Sequence, residues 1–255
     1  MKALIVGVLV SVCAALLGVV LVLKKYSLIG HSLADIGFAS TSFALAFGIS
    51  PLIISTPIII LCSFLIMYLS QNKKIQGDVA IGIFSTGSLA IGVLISSLSF
   101  GFNVDVYNYM FGSVLAVDYS DLVMSIFLFI IVFSLFFIFY NRLFLVVSDE
   151  DFAKSIGINV VFYHFLISFL AALTIVIGMR MMGTLLISSL IIFPVVIARK
   201  CSNSFKTLTI LSVIVSFVCF LLGMIASFLL NIPIGASVVI INILTLLLVS
   251  IFKNI

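Results

Sequence analysis

The chain has 255 residues, of which 64% are hydrophobic and only 8% charged, and its net charge is +4. Its mean hydropathy is +1.51. No polar stretch is long enough for a separate soluble domain, and so small a positive balance gives no reason to expect nucleic acid as a partner.

The chain therefore reads as an integral membrane protein, all-α, forming one transmembrane domain over residues 1–255. Its apolar runs have the roughly 17 to 25 residues that a helix needs to cross hydrocarbon, where a membrane β-barrel would show alternation over about ten. Nine spans are predicted. The first, Ala3 to Leu23, follows Lys2 as a signal peptide would. It outruns an ordinary signal-peptide core, offers no clear small-residue cleavage site and ends in Lys24-Lys25, so it is expected to stay as a helix. The second, His31 to Ile49, ends at Ser50-Pro51, and the third, Leu52 to Leu69, ends in a Gln71-Asn72-Lys73-Lys74 turn. The fourth, Val79 to Leu98, opens behind Asp78 and carries a stripe of small residues, Gly82, Ser85, Gly92 and Ser96, suited to close helix packing. Val106 to Val117 is too short to span and is expected at the surface or re-entering. Leu122 to Phe139, Val160 to Gly178, Met182 to Ala198, Thr207 to Leu230 and Ile234 to Phe252 complete the set, the last two separated by Asn231-Ile232-Pro233-Ile234-Gly235.

Positive charge orients this series, because cytoplasmic loops hold the excess of Lys and Arg. With the N-terminus outside and the C-terminus inside, ten of the 12 basic residues fall in the cytoplasm, leaving only Lys2 and Arg180 outside. Cys13, Cys62, Cys201 and Cys219 have no ligand-like spacing and read as packing residues. There is no phosphate-binding loop and no nucleophile elbow, and the acidic and histidine residues are too sparse for a catalytic cluster, so no enzymatic activity and no cofactor are expected.

The ionisable residues at membrane depth carry the functional signal. In SLIGHSLADIG, residues 27 to 37, His31 and Asp35 stand four apart and so share a helical face. An imidazole nitrogen beside a carboxylate oxygen suits divalent Zn, Mn or Fe. The competing reading makes His31 an interfacial head and Asp35 a helix-start charge favoured by the macrodipole, and Asp78 invites the same pair of readings. His164, beside Tyr163, is expected to snorkel at the interface. On the cytoplasmic side, within a loop at about 142–159, Asp149-Glu150-Asp151-Phe152-Ala153-Lys154 leads to Gly157. It reads as a short capped helix ended by glycine, and its length favours something that docks. On the outer side, NVDVYNYMFG places Asp105, Tyr107 and Tyr109 in an aromatic girdle or partner surface.

Six stretches in order resemble the membrane permease subunit of the bacterial zinc and manganese ABC importers. They are Gly30-His31 to Asp35, Asp78 to Ile83, Phe111 to Val117, Asp149 to Gly157, Gly183 to Pro194 and Pro233 to Ser237. The family places Asp before His at the first of these, and this chain reverses the order. The resemblance implies a multi-pass permease in the bacterial cytoplasmic membrane that works with a second copy of itself, a cytoplasmic ATP-binding subunit and an extracytoplasmic solute-binding protein. It also implies a divalent metal as cargo, with His31, Asp35 and Asp78 as ligands. Asp149, Glu150, Asp151, Ala153 and Gly157 would form the helix coupled to the ATPase. Asp105, Tyr107 and Tyr109 would lie where the binding protein docks. Two rivals stand beside it: the permease of a metal-chelate or vitamin ABC importer, and a stand-alone ion-coupled secondary carrier.

Overall fold

The computed structural model describes residues 2–71, 77–98 and 119–253, and these form eleven α-helices and no strand. In chain order they are α1 (Lys2–Leu23), α2 (Ile29–Ala46), α3 (Pro51–Gln71), α4 (Gly77–Leu98), α5 (Tyr119–Ile138), α6 (Tyr140–Ser148), α7 (Glu150–Ser155), α8 (Val160–Met182), α9 (Thr184–Cys201), α10 (Phe205–Leu230) and α11 (Ile234–Lys253). The segment at 106–117, with Asp105, Tyr107 and Tyr109, lies outside the described residues.

Seven of the described helices, α1, α3, α4 and α8 to α11, are long and apolar enough to cross a membrane. An eighth crossing results if α5 and α6 count as one span bent by 69°. The bend falls at Phe139, with neither proline nor glycine to announce it in the sequence. α6 then turns Leu143 and Val146 inward, three residues apart on one face. The remaining predicted span, α2, is a helix, but His31, Asp35 and Ser40-Thr41-Ser42 keep it out of that apolar set. Asp35 and Ser40-Thr41-Ser42 are buried because α2 is packed by α3, α4, α8 and α9, whereas His31 near its start is exposed. α2 also stops short of the expected Ile49. Gly48 takes the left-handed conformation at φ 68° and its N–H bonds to the Leu45 carbonyl, closing the helix at Ala46.

α1 forms the centre of the other half, in contact with α5, α8, α9 and α10. Between membrane helices the hydrophobic effect gives no net pull, so cohesion comes from close packing and interhelical hydrogen bonds. Both are present. A side chain added at Gly18 would run into the backbone carbonyl oxygen of Ile191, so only glycine lets α1 lie this near α9. Ser216 of α10 donates to the Ser11 carbonyl of α1 at 2.9 Å, and Ser237 of α11 donates to the Gly223 carbonyl of α10 at 2.9 Å.

At the end of α1, Val19 packs with Val195 and Ala198 of α9 and Leu208 of α10. Lys24, after α1, meets α7 and the start of α8, Lys200 near the end of α9 donates to Ser250 of α11 at 2.6 Å, and Arg142 of α6 donates to the Tyr163 hydroxyl at 3.2 Å. Lys24, Lys200 and Arg142, three of the basic residues predicted for one membrane face, are each tied to a neighbouring helix.

Candidate functional site

The first constellation sits where α2 meets α4, two helices in extensive contact. His31 Nε2 lies 3.7 Å from Asp35 Oδ2, one turn along α2. Their exposures are opposite: the His31 side chain is 57% exposed and that of Asp35 only 8%. Ser85 of α4 donates its hydroxyl to the same Asp35 oxygen, fixing the carboxylate from across the helix pair. α4 approaches closely here because Gly92 leaves room for the Phe38 ring. The small-residue stripe therefore divides by role, with Gly92 packing on α2, Ser85 bonding to it and Gly82 facing open space.

The pair is half a coordination set. An imidazole nitrogen and a carboxylate oxygen converge while one partner stays accessible, which suits brief contact with a cation better than storage. Asp78 does not join them. It is exposed in the first turn of α4, where the macrodipole favours a carboxylate, and it precedes Ser85 by about 10 Å of helix rise. Among the described residues no three or more His, Cys, Asp or Glu side chains gather as a metal site.

The second constellation surrounds α7. Asp149 caps the helix by accepting from the N–H groups of Asp151 and Phe152 at 3.1 and 2.9 Å, and Gly157 ends the segment at φ 81°. This is the capped, glycine-ended helix expected from sequence. Its residues face different ways. Asp151 projects outward, Phe152 and Ile156 are exposed, and Ala153 is fully buried against the bundle. Glu150 turns inward. Its Oε2 accepts from Lys24 at 3.1 Å and its Oε1 lies 3.1 Å from His164 Nε2.

His164 overturns its expected role as an interfacial snorkeler. It is 2% exposed, and its Nε2 meets Glu150 at 3.1 Å. The sequence signals of this cluster were Lys24 and Glu150 on one predicted face of the membrane, but nothing in the spacing linked them to His164. Partial burial alone would raise the Glu150 pKa; the hydrogen bond from His164 and the charge of Lys24 overcome it and bring the group down to about 2. Burial pulls the Lys24 ammonium below its ordinary value, and Glu150 offsets part of that. Beside α7, Arg142, Gly157, Asn159 and the rings of Phe139, Phe162 and Tyr163 line an open cleft of about 510 Å³.

With this geometry in view, comparison with known proteins decides the family. The model of the ABC 3 transport family matches residues 1–253. The chain belongs to that family. It is 31% identical over 251 residues to the manganese import system permease protein ScaB of Streptococcus gordonii, covering 98% of this chain and 90% of the relative. It is 30% identical over 252 residues to the high-affinity zinc uptake system membrane protein ZnuB of Haemophilus influenzae, covering 99% and 96%. The solved structure of PsaBC from Streptococcus pneumoniae in complex with Fab superposes with a TM-score of 0.85 at 28% identity, covering 97% of this chain and 89% of that one. This family member is a multi-pass membrane transport protein.

Proposed function

We propose that this protein is the permease subunit of an ATP-driven importer for a divalent transition metal, zinc, manganese or iron, in the bacterial cytoplasmic membrane. Its relatives in the family are named as manganese and zinc permeases. The observation that carries the metal reading here is the His31–Asp35 pair, with the carboxylate sealed and braced by Ser85 and the imidazole left open. Reversing the family's order of Asp and His exchanges the donors between turns, yet both remain on one helical face. Two donors from each of two copies would supply the four ligands that zinc prefers, while cargo in transit needs a site no tighter than that. The cation's own charge offsets the cost of placing a carboxylate in the interior.

The permease itself performs no chemistry. A separate cytoplasmic subunit hydrolyses ATP and engages α7, where Phe152 is exposed and the exposed Ile156 lines the Arg142 cleft. An extracytoplasmic binding protein delivers cargo at the opposite face, for which Asp105, Tyr107 and Tyr109 remain the proposed contacts. N-terminus outside and C-terminus inside is the orientation favoured by the excess of Lys and Arg, since it puts ten of the 12 basic residues in the cytoplasm. Family membership weighs against the stand-alone carrier, and the open imidazole weighs against a chelate importer, whose cargo brings its own ligands.

The test is growth of a deletion strain under chelation, rescued metal by metal by the wild-type gene and by Asp35→Asn. Rescue at limiting zinc, manganese or iron by the wild type alone is the expected outcome. Equal rescue by Asp35→Asn would remove the pair from transport, and rescue only by a metal chelate would transfer the protein to the rival importer class.

A further inference from the structure

Glu150 spends its two carboxylate oxygens on two different helices. Oε2 takes Lys24, at the end of α1, and Oε1 faces His164, in the first turn and a half of α8. A helix of six residues has too few internal bonds to hold its own orientation against a partner's push. What orients α7 is therefore its attachments: the buried Ala153 and this two-way clasp.

The clasp is built for rigidity. The Lys24 side chain is only 9% exposed and that of His164 2%, so neither can follow Glu150 by swinging through water. His164 Nδ1 is buried without a hydrogen-bond partner among the described residues. A hydrogen on that atom would be a stranded donor, so the arrangement favours the tautomer with its hydrogen on Nε2, pointing at Glu150. The imidazole then has one anchor, and that anchor is α7.

Lys24 leads further. The next residue, Lys25, takes the left-handed conformation at φ 62°, the Tyr26 N–H returns to the Leu21 carbonyl at 2.9 Å, and the Ile29 N–H bonds to the Tyr26 carbonyl at 3.0 Å. This tight turn starts α2, and His31 lies in its first turn. A short hydrogen-bonded path thus runs from α7 through Glu150 and Lys24 to the helix that bears His31 and Asp35.

We propose that Lys24 and His164 are positioning residues that lock α7 to α1 and α8, so that displacement of α7 is passed to the head of α2 and the His31–Asp35 pair. The proposal rests on the reading of α7 as the helix that engages the ATPase. It assigns Glu150 to the inside of the joint, leaving Asp151, Phe152 and Ile156 for the partner.

The experiment reconstitutes the permease with its ATPase subunit and binding protein in liposomes. It reads two quantities separately: capture of the ATPase by the permease, and metal moved per ATP hydrolysed. Lys24→Met and His164→Phe are expected to lower metal per ATP by about tenfold, the scale for losing a hydrogen bond to a charged group, with full ATPase capture. His164→Gln, whose amide can donate to Glu150 from a similar reach, is expected to stay near wild type. An unchanged ratio in both Lys24→Met and His164→Phe overturns the proposal, and so does a loss of ATPase capture that accounts for the whole fall in transport. Equal damage from Gln and Phe at position 164 overturns the role of the hydrogen bond. Should His164→Phe fail to fold, Lys24→Met decides alone. Phe152→Asp tests the underlying reading, because ATPase capture undiminished by that variant shows that α7 is not the docking helix and removes the proposal with it.

Discussion

The protein holds two carboxylate–imidazole pairs that are near inversions of each other. In His31–Asp35 the carboxylate is sealed and the imidazole open, at 8% and 57% exposure; in His164–Glu150 the imidazole is sealed and the carboxylate half open, at 2% and 40%. The same two functional groups do different work according to which is left accessible. An open imidazole keeps a lone pair for a passing cation, and the buried Asp35 behind it, tied to Ser85, supplies charge without being free to rearrange. A sealed imidazole has no approach for cargo, and its carboxylate is already engaged by Lys24. One pair is disposed to meet something from outside; the other joins parts of the protein.

The contrast breaks most sharply at Asp35. Asp35→Asn keeps the shape and can still accept from Ser85, but it removes the charge that a cation needs. Metal uptake into reconstituted vesicles is expected to fall on the order of a hundredfold, with the protein still folded by its detergent elution profile; outer-sphere changes at metal sites alone reach 10–100-fold. Uptake within a factor of about two of wild type would make the first pair structural like the second. Ser85→Ala comes next. It touches cargo only through Asp35, so a loss of about tenfold is expected, and raising the metal concentration should recover part of it. If Ser85→Ala matches Asp35→Asn in severity, the serine is itself a ligand.

Much of this arrangement is legible in the sequence. The i, i+4 spacing of His31 and Asp35 puts them on one face, the apolar runs mark out the spanning helices, and Asp149 with Gly157 brackets α7 by residue type and spacing alone. What escapes is whatever depends on one helix meeting another. Ser85 lies 50 positions from Asp35 and Lys24 lies 126 from Glu150, so no local pattern encodes either contact. His164 reads as an interfacial residue because a lone polar ring near a helix start usually is one; its burial against Glu150 is a tertiary fact. The bend at Phe139 is equally silent, since it carries none of the proline or glycine signals that normally mark a kink. The polarity of α2 is visible, yet the packing that buries Asp35 and Ser40-Thr41-Ser42 comes only from its neighbours.

Gly157 sharpens the joint side of the comparison. At φ 81° it adopts a conformation that costs an L-residue about 1–2 kcal/mol, and more for a β-branched one. Nothing lies within 4 Å of the position a Cβ would take, so strain rather than collision is the penalty. Gly157→Val should loosen the exit from α7 and lower metal moved per ATP several-fold while leaving metal binding at the α2–α4 seam intact. Gly157→Ala should fall between the two. Reduced metal binding in the valine variant would mean that the two constellations are less separate than their geometry indicates.

The smallest effect concerns the charge of Glu150 itself. Its pKa is held near 2 against an ordinary 4.5, because the hydrogen bond to His164 and the ammonium of Lys24 outweigh the cost of partial burial. A carboxylate depressed on folding contributes stability that is fully present above its unfolded pKa and is lost as pH falls through the folded one. The clasp should therefore be intact above about pH 4.5 and weaken progressively toward about pH 2. With 40% of the side chain exposed, solvent screens much of the interaction, so the shift in unfolding temperature should be slight. The measurement is the difference in thermal midpoint between wild type and Glu150→Gln in detergent, taken as pH is lowered. That difference should shrink over the window from 4.5 to 2, since protonation turns the wild-type group into a neutral acceptor much like the glutamine. A difference that stays constant would show that Glu150 holds α7 by its shape and hydrogen bonds rather than by its charge, and the two pairs would then differ in chemistry as well as in exposure.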